Sequence, residues 1–207
     1  MTENKMFCFQ CQETAKGTGC TIKGVCGKEA ETSKWQDLLL SVVRSVGTIQ
    51  HTLGENASKE VADFLVDALF STITNANFDD QSILNKVDTG IALKKQLLET
   101  ALSKNITFPN YQEVHWGGEK SDYSAEGERE GVLRNENADL RSLKELTVLG
   151  LKGIAAYYDH AARLGETNEE IIAFICKALA TITAPDADME TLLGIVLETG
   201  KYGVDVM

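Results

Sequence analysis

The chain has few residues that break helices and none of the long apolar runs that cross membranes. Only two prolines occur in 207 residues, and the alternation of apolar and polar residues that is typical of strands is scarce. No stretch reaches the roughly 18 apolar residues of a membrane-spanning helix, and the N-terminus lacks the pattern of a secretory signal. These absences predict an all-α protein of the cytoplasm with no membrane contact.

Positive charge is also scarce, because the formal net charge is −11 and the pI is near 4.8. A chain this acidic repels the phosphates of nucleic acids, so we expect no nucleic-acid partner. The acidity lies beyond residue 30, since the first 30 residues carry four lysines against three glutamates. A solvated acidic helix surface explains the charge most simply, and a docking face for a basic partner is the alternative.

Apolar residues recur with helical period through most of the chain. Thr32 or Ser33 is the predicted N-cap of the first helix, Gly54 ends it, and Asp139 is the predicted N-cap where the pattern returns. Pro185 separates the last two helices. The predicted helices cover about 33–53, 58–73, 81–104, 139–163, 168–183 and 187–203.

The two halves of the chain resemble each other in sequence. LGENASKEVADFLVDALFSTIT in the first half matches LGETNEEIIAFICKALATIT in the second, and three residue pairs lie 110 positions apart: Phe64 with Phe174, Ala68 with Ala178, and Leu69 with Leu179. An internal duplication explains this match better than chance similarity between amphipathic helices. We therefore predict a cysteine-rich segment (1–30), a three-helix bundle (31–104), a connector (105–138) and a second three-helix bundle (139–207).

Four of the five cysteines are crowded into the first segment. Cys8, Cys11, Cys20 and Cys26 have the spacing C-x2-C-x8-C-x5-C. Cluster iron prefers thiolate ligands, and nearby glycines allow tight turns that bring backbone N–H groups close to the sulfurs. The four sulfurs predict an iron–sulfur cluster, covered from solvent by Met6, Phe7 and Phe9.

Other uses of four cysteines fit less well. Structural zinc is usually held by two close pairs, whereas Cys20 and Cys26 are far apart and no histidine is near. Disulfides need an oxidising compartment, and a thioredoxin-like C-x2-C needs a βαβ context that is missing. A 4Fe–4S cubane suits the motif best, and a 2Fe–2S cluster is its main competitor.

No other residues point to chemistry. Cys176 lies in the helical pattern IIAFICKALA and is predicted to be an inert buried thiol. The three histidines, His51, His115 and His160, form no ligand pair on one helical turn. Because there is no glycine-rich phosphate loop and no nucleophile–base arrangement, we predict no catalytic residue, and electron transfer is the one chemistry that the residues support.

The string MFCFQCQETAKGTGCTIKGVCGKEAETSKWQDLL closely resembles the N-terminus of the hybrid cluster proteins, which are also called prismane proteins or hydroxylamine reductases. GVLRNENADLRSLKELTVLGLKGIAAYYDHA is similar to a later part of that family. The resemblance covers essentially the whole chain. It implies that Cys8, Cys11, Cys20 and Cys26 ligate a 4Fe–4S cubane, as in the anaerobe-type members, and that two three-helix bundles follow.

The resemblance also implies a function for the full-length protein. Two α/β domains follow the helical domain in the family and ligate a hybrid Fe–S–O cluster that reduces hydroxylamine to ammonia, with nitric oxide as a possible substrate. We expect this chain to receive electrons from an external donor, such as a small redox protein, and to pass them to that cluster.

The chain stops at GKYGVDVM, inside a helical pattern, and we expect that this is not the natural end of a family member. Without the hybrid-cluster ligands, the 207 residues alone should be inactive. The alternatives are a stand-alone iron–sulfur electron carrier or redox sensor and, with a poorer motif match, a relative of the carbon monoxide dehydrogenases.

Overall fold

A computed structural model of the protein describes residues 5–108 and 111–207. Within these ranges the chain forms eight α-helices and no β-strand, which confirms the all-α prediction. None of these helices has the length and apolarity that a membrane crossing requires. The helices are α1 (Ala30–Leu53), α2 (Lys59–Ser71), α3 (Asp80–Ser103), α4 (Gln112–His115), α5 (Tyr123–Arg129), α6 (Ala138–Arg163), α7 (Glu169–Thr183) and α8 (Met189–Asp205).

Side-chain caps fix the start of most long helices, because they satisfy N–H groups that have no partner within the helix. Gly54 ends α1 with a left-handed φ of 69°, and Pro185 lies between α7 and α8, both as predicted. Asn137, and not Asp139, caps α6. The capping side chains are those of Ser58, Asp79, Asn137, Asn168 and Asp188.

The first helix begins earlier than the cap pattern predicts. α1 begins at Ala30, and the expected caps Thr32 and Ser33 are buried inside its first turns. The Ser33 N–H already donates to the Glu29 carbonyl. The prediction was wrong because tertiary burial, and not local capping chemistry, decides where this helix starts.

The six long helices pack in a pattern that is unchanged when the two halves are exchanged. α1 packs on α3 in the first half, and α6 packs on α8 in the second. Between the halves α1 packs on α7, and α6 correspondingly packs on α2. Two copies related by a twofold axis would give this arrangement. The repeated residues are buried in both copies: Phe64, Ala68, Leu69, Phe174, Ala178 and Leu179.

A small hydrophobic cluster surrounds Ile49, Ala101 and Val114, and a larger core runs through both halves, with contributions from α1, α2, α3, α6, α7 and α8. α1 lies at its centre, because it contacts α2, α3, α4, α5 and α7. The position of α1 therefore determines where the cysteine segment that precedes it meets the rest of the protein.

The segment between α3 and α6 is more ordered than its loss of periodicity indicates. It contains α4, α5 and single-turn 3-10 segments at Lys120–Asp122 and Val132–Arg134. A helix of one or two turns is too short to show a repeating apolar stripe. Val114 and Tyr123 of this segment are buried in the hydrophobic clusters, and three of its glutamates are buried as well: Glu113, Glu126 and Glu130.

The central contact of the connector is a buried ion pair with α1. Arg44 Nη2 lies 2.5 Å from Glu130 Oε2, and both side chains are almost fully enclosed. Arg129 and Arg134 also pair with Glu130, and Arg134 reaches Glu113. The Glu130 carboxylate therefore pairs with three guanidinium groups, of which that of Arg44 is buried.

We expect Glu130→Gln to lower the free energy of unfolding by about 3–5 kcal/mol, because it leaves the buried Arg44 without its paired carboxylate. Urea unfolding of protein with matched iron content measures the change. Glu128→Gln is the control, since the Glu128 side chain is 71% exposed and its loss should cost less than about 0.5 kcal/mol. Equal stabilities for the two variants would contradict this account.

Candidate functional site

The four predicted ligands lie in the segment that precedes α1, and two of them are joined through the backbone. The Cys8 N–H donates to the Cys20 carbonyl with an N–O distance of 3.1 Å, and the Cys20 N–H donates back at 2.8 Å. Cys20 is buried, Cys8 and Cys11 are half-buried, and Cys26 is exposed. All four thiols are free, as metal ligation requires.

The chain between these cysteines turns back on itself. After Cys11 a turn closes with the Thr14 N–H on the Cys11 carbonyl, and a 3-10 turn follows at Ala15–Gly17. Returning from this turn, the chain pairs with its own start, because the Met6 N–H donates to the Thr21 carbonyl. The described part of the segment is therefore built from turns around the Cys8–Cys20 pair.

Two glycines leave room where side chains of the segment come close to the backbone. A Cβ at Gly24 would lie 3.0 Å from Cys26 Sγ, and one at Gly19 would lie 2.6 Å from a ring carbon of Phe7. A side chain at Gly24 would therefore crowd the Cys26 sulfur. The backbone can approach this sulfur closely, which is how N–H groups reach cluster sulfurs.

In the described ranges, no three histidine, cysteine or carboxylate side chains converge as ligands of a single metal ion would. In a cubane, each cysteine thiolate binds a different iron atom. The four cysteine sulfurs therefore lie farther apart than the ligands of a single metal ion. The turn-rich segment holds four free thiols, and a glycine leaves room beside Cys26 Sγ. This donor set fits an iron–sulfur cluster.

A buried lysine joins the cysteine segment to α1. Lys28 is only 3% exposed, and its Nζ donates to Gln36 Oε1 at 2.6 Å. The same Nζ lies 3.8 Å from Cys8 Sγ. Gln36 in turn donates through Nε2 to the Asn77 carbonyl at 3.0 Å. These contacts connect a predicted ligand through Lys28 and α1 to the loop between α2 and α3.

A second buried lysine, Lys152 on α6, contacts the stretch from Cys8 to Cys11, which we call the arm of the cysteine segment. Lys152 Nζ donates to Gln10 Oε1 at 3.2 Å and to the Thr72 carbonyl at 3.0 Å. Because Gln10 lies between Cys8 and Cys11, this contact fixes the arm that carries the first two predicted ligands. The two lysines thus hold the arm from the α1 side and from the α6 side.

A small cavity lies under this arm and is lined by Cys8, both lysines and two carboxylates, Asp37 and Glu145. Burial, followed by repulsion from Glu145, raises the pKa of Asp37 from 3.8 to about 7. Burial also raises the pKa of Glu145. For Lys152, burial and then repulsion from Lys28 lower the pKa to about 8. Burial therefore disfavours the charged form of all three of these groups.

The sequence gives only weak signals for these supporting residues. Lys152 falls in the apolar stripe of α6, between the buried Leu151 and Ala155, and a charged residue in such a stripe is a detectable anomaly. Gln36 and Asp37 likewise precede the buried Leu38 in α1. Their partners lie far away in the chain, so no local pattern shows what they contact.

The remaining cysteine is buried as predicted, and two of the histidines, His51 and His160, lie on α1 and α6. Cys176 is 2% exposed, and burial raises the pKa of its thiol to about 12, so it is not a reactive thiolate. The His160 ring packs edge-on against Phe70. His51 is exposed near the end of α1.

Residues 6–207 match the family described as Prismane/CO dehydrogenase. The chain therefore belongs to this family, which implies iron–sulfur clusters. It is 48% identical over 205 residues to a hydroxylamine reductase of Bacteroides thetaiotaomicron, covering 98% of this chain and 37% of that protein.

Proteins of the same name from other bacteria are similar over the same region. The hydroxylamine reductase of Porphyromonas gingivalis is 45% identical over 209 residues, which cover 99% of this chain and 38% of that protein. That of Desulfitobacterium hafniense is 44% identical over 207 residues, or 98% and 38%. The chain thus spans well under half the length of these relatives.

The pKa of Asp37 predicts how stability depends on pH. The folded protein keeps the Asp37 proton up to about pH 7, whereas the unfolded chain loses it near the ordinary pKa of 3.8. Between these values the folded state binds the extra proton, so this group lowers the free energy of unfolding as pH rises. The charged groups that face Asp37 are Glu145, Lys152, Lys28 and Arg44.

We therefore expect the stability of Asp37→Asn, which stays neutral, to rise relative to the parent by about 2–3 kcal/mol from pH 5 to pH 8. Urea unfolding at both pH values measures this difference. Asp186→Asn is the matched control, because it removes the same charge from an exposed position. An Asp37→Asn variant that follows the parent at both pH values would refute the argument.

Proposed function

We propose that this chain is the N-terminal electron-transfer part of a hybrid cluster protein of the hydroxylamine reductase type. In this proposal Cys8, Cys11, Cys20 and Cys26 ligate a 4Fe–4S cluster. Electrons enter from an external donor, such as a small redox protein, and leave toward a hybrid Fe–S–O cluster in the C-terminal α/β domains of the full-length protein. That cluster reduces hydroxylamine to ammonia.

The observation that carries the proposal is the placement of the four free thiols. They occupy one turn-rich segment that two buried lysines hold against the helical body of a prismane-family chain. The names of the similar bacterial proteins support hydroxylamine as the substrate of the whole protein.

A bound 4Fe–4S cluster supplies reversible transfer of one electron. The residues of this chain would ligate the cluster, shield it from solvent and determine the polarity around it. Met6 is 8% exposed, and the Phe7 and Phe9 rings lie 5.6 Å apart between centroids, so apolar groups flank Cys8 on both sides. One-electron transfer requires no proton donor at the cluster, which agrees with the lack of a nucleophile–base arrangement in the sequence.

Anaerobic purification followed by iron and sulfide analysis tests the cofactor. About four irons and four sulfides per chain, with visible absorbance that bleaches on reduction with dithionite, are expected for the cubane. About two of each would replace it with a 2Fe–2S cluster. Zinc without sulfide would overturn the proposal.

Replacing any one of the four ligands by alanine should reduce bound iron and sulfide several-fold, because each thiolate holds one corner of the cluster. Cys176→Ala is the matched control and should keep the iron content of the parent, since Cys176 lies in the helical core. Iron, sulfide and visible absorbance measure the effect. Full retention of the cluster after loss of a predicted ligand would remove that residue from the ligand set.

We expect the 207-residue chain to accept an electron from dithionite but to form no ammonia from hydroxylamine, since the proposed hybrid cluster lies in the remainder of the full-length protein. Ammonia production with a reduced dye as electron donor measures turnover. A full-length relative serves as the positive control. Ammonia from this chain alone would place the catalytic site within residues 1–207.

A further inference from the structure

Lys28 makes three contacts near the predicted ligands. Two of them place its cationic side chain beside Cys8, and the third is a backbone hydrogen bond. Its side chain is 3% exposed, and its Nζ lies 2.6 Å from Gln36 Oε1 and 3.8 Å from Cys8 Sγ. Its backbone carbonyl accepts the Gly24 N–H at 2.8 Å, which closes the turn around Cys26. One residue therefore contacts the first ligand with its side chain and shapes the turn of the fourth ligand with its backbone.

The position of this ammonium group is fixed. Gln36 holds Lys28 and is itself held by the Asn77 carbonyl, at an Nε2–O distance of 3.0 Å. Gln36 is 3% exposed and belongs to the enclosed helix α1. Because Lys28 is enclosed, its Nζ is not free to move into solvent, as the Nζ of a surface lysine is.

The charge beside Cys8 Sγ affects how easily a cluster bound there is reduced. Reduction of a thiolate-ligated cluster adds one negative charge, and a fixed ammonium group in a region of low dielectric stabilises that charge more than a solvated one would. Hydrogen bonds to the sulfurs and nearby charges are among the factors that set the reduction potential of such clusters.

We propose that Lys28 is a positioning and tuning residue, which orients Cys8 and raises the reduction potential of the cluster bound there. This inference rests on the proposed function, since it needs a cluster on the four cysteines. Gln36 acts through Lys28 by keeping the ammonium group in contact with the sulfur.

The test compares reduction potentials in variants of the anaerobically purified protein. Lys28→Gln removes the charge but can still hydrogen-bond to Gln36, Lys28→Met is a second neutral variant, and Lys28→Arg keeps the charge. Lys23→Gln is the matched control, because Lys23 lies in the same segment with its side chain 55% exposed. Iron and sulfide content are measured first, and then the midpoint potential by a spectroscopic redox titration.

At a fixed applied potential, we expect the ratio of reduced to oxidised cluster to fall about tenfold in the neutral Lys28 variants, equivalent to about 59 mV for a one-electron couple. Lys28→Arg and Lys23→Gln should stay within about twofold of the parent. If the neutral variants lose the cluster while Lys28→Arg keeps it, a requirement for the charge is also supported.

Two results would overturn the inference. One is a midpoint potential in Lys28→Gln or Lys28→Met equal to that of Lys23→Gln. The other is loss of the cluster in Lys28→Arg as well as in both neutral variants, which would leave Lys28 a purely structural residue. Absence of iron and sulfide in the parent itself would instead refute the proposed function, so the two failures are distinguishable.

Discussion

The enclosure of α1 favours partners within the protein for its long polar side chains, above all Arg44 and Gln36. Sixteen of its 24 residues are buried, and half of those are polar or charged. A buried polar group without a partner costs about 1–3 kcal/mol, so each partner has a fixed place. Arg44 pairs with Glu130, and this ion pair fixes the connector against α1. Gln36 accepts a hydrogen bond from Lys28, and this contact fixes the cysteine segment against α1.

Local patterns in the sequence predicted the long helices because an apolar stripe and a capping residue act over a few positions. Gly54, Ser58 and Pro185 mark helix ends, and the structure agrees with each. The grouping of the four cysteines was equally local. The contacts of Gln36 and Lys152 were not predictable, because their partners lie on other elements and hydrogen bonding between distant residues leaves no periodic signal. The short helices of the connector were missed because one or two turns are too short to show a repeating apolar stripe.

The two halves share a packing pattern but differ where the cysteine segment and the connector attach. Leu53-Gly54 and Leu164-Gly165 set a register of 111 residues between α1 and α6. In that register, Val148 corresponds to Asp37, and Ala155 corresponds to Arg44. α1 therefore carries charged groups where its counterpart is apolar. Arg44 pairs with the connector, and Asp37 lines the cavity under the arm of the cysteine segment.

Because of the way it is attached, the cysteine segment can open locally while the helices stay folded. Hydrogen bonds of Lys28 and Lys152 hold the arm, whereas the large core lies among the long helices. Releasing the arm breaks a few polar contacts and exposes little of that core, so it belongs to the low-energy end of local openings. In the proposed function, the cluster would therefore be inserted, lost or replaced while the helical body stays intact. Damage by oxygen would then leave a refillable protein and not an unfolded chain.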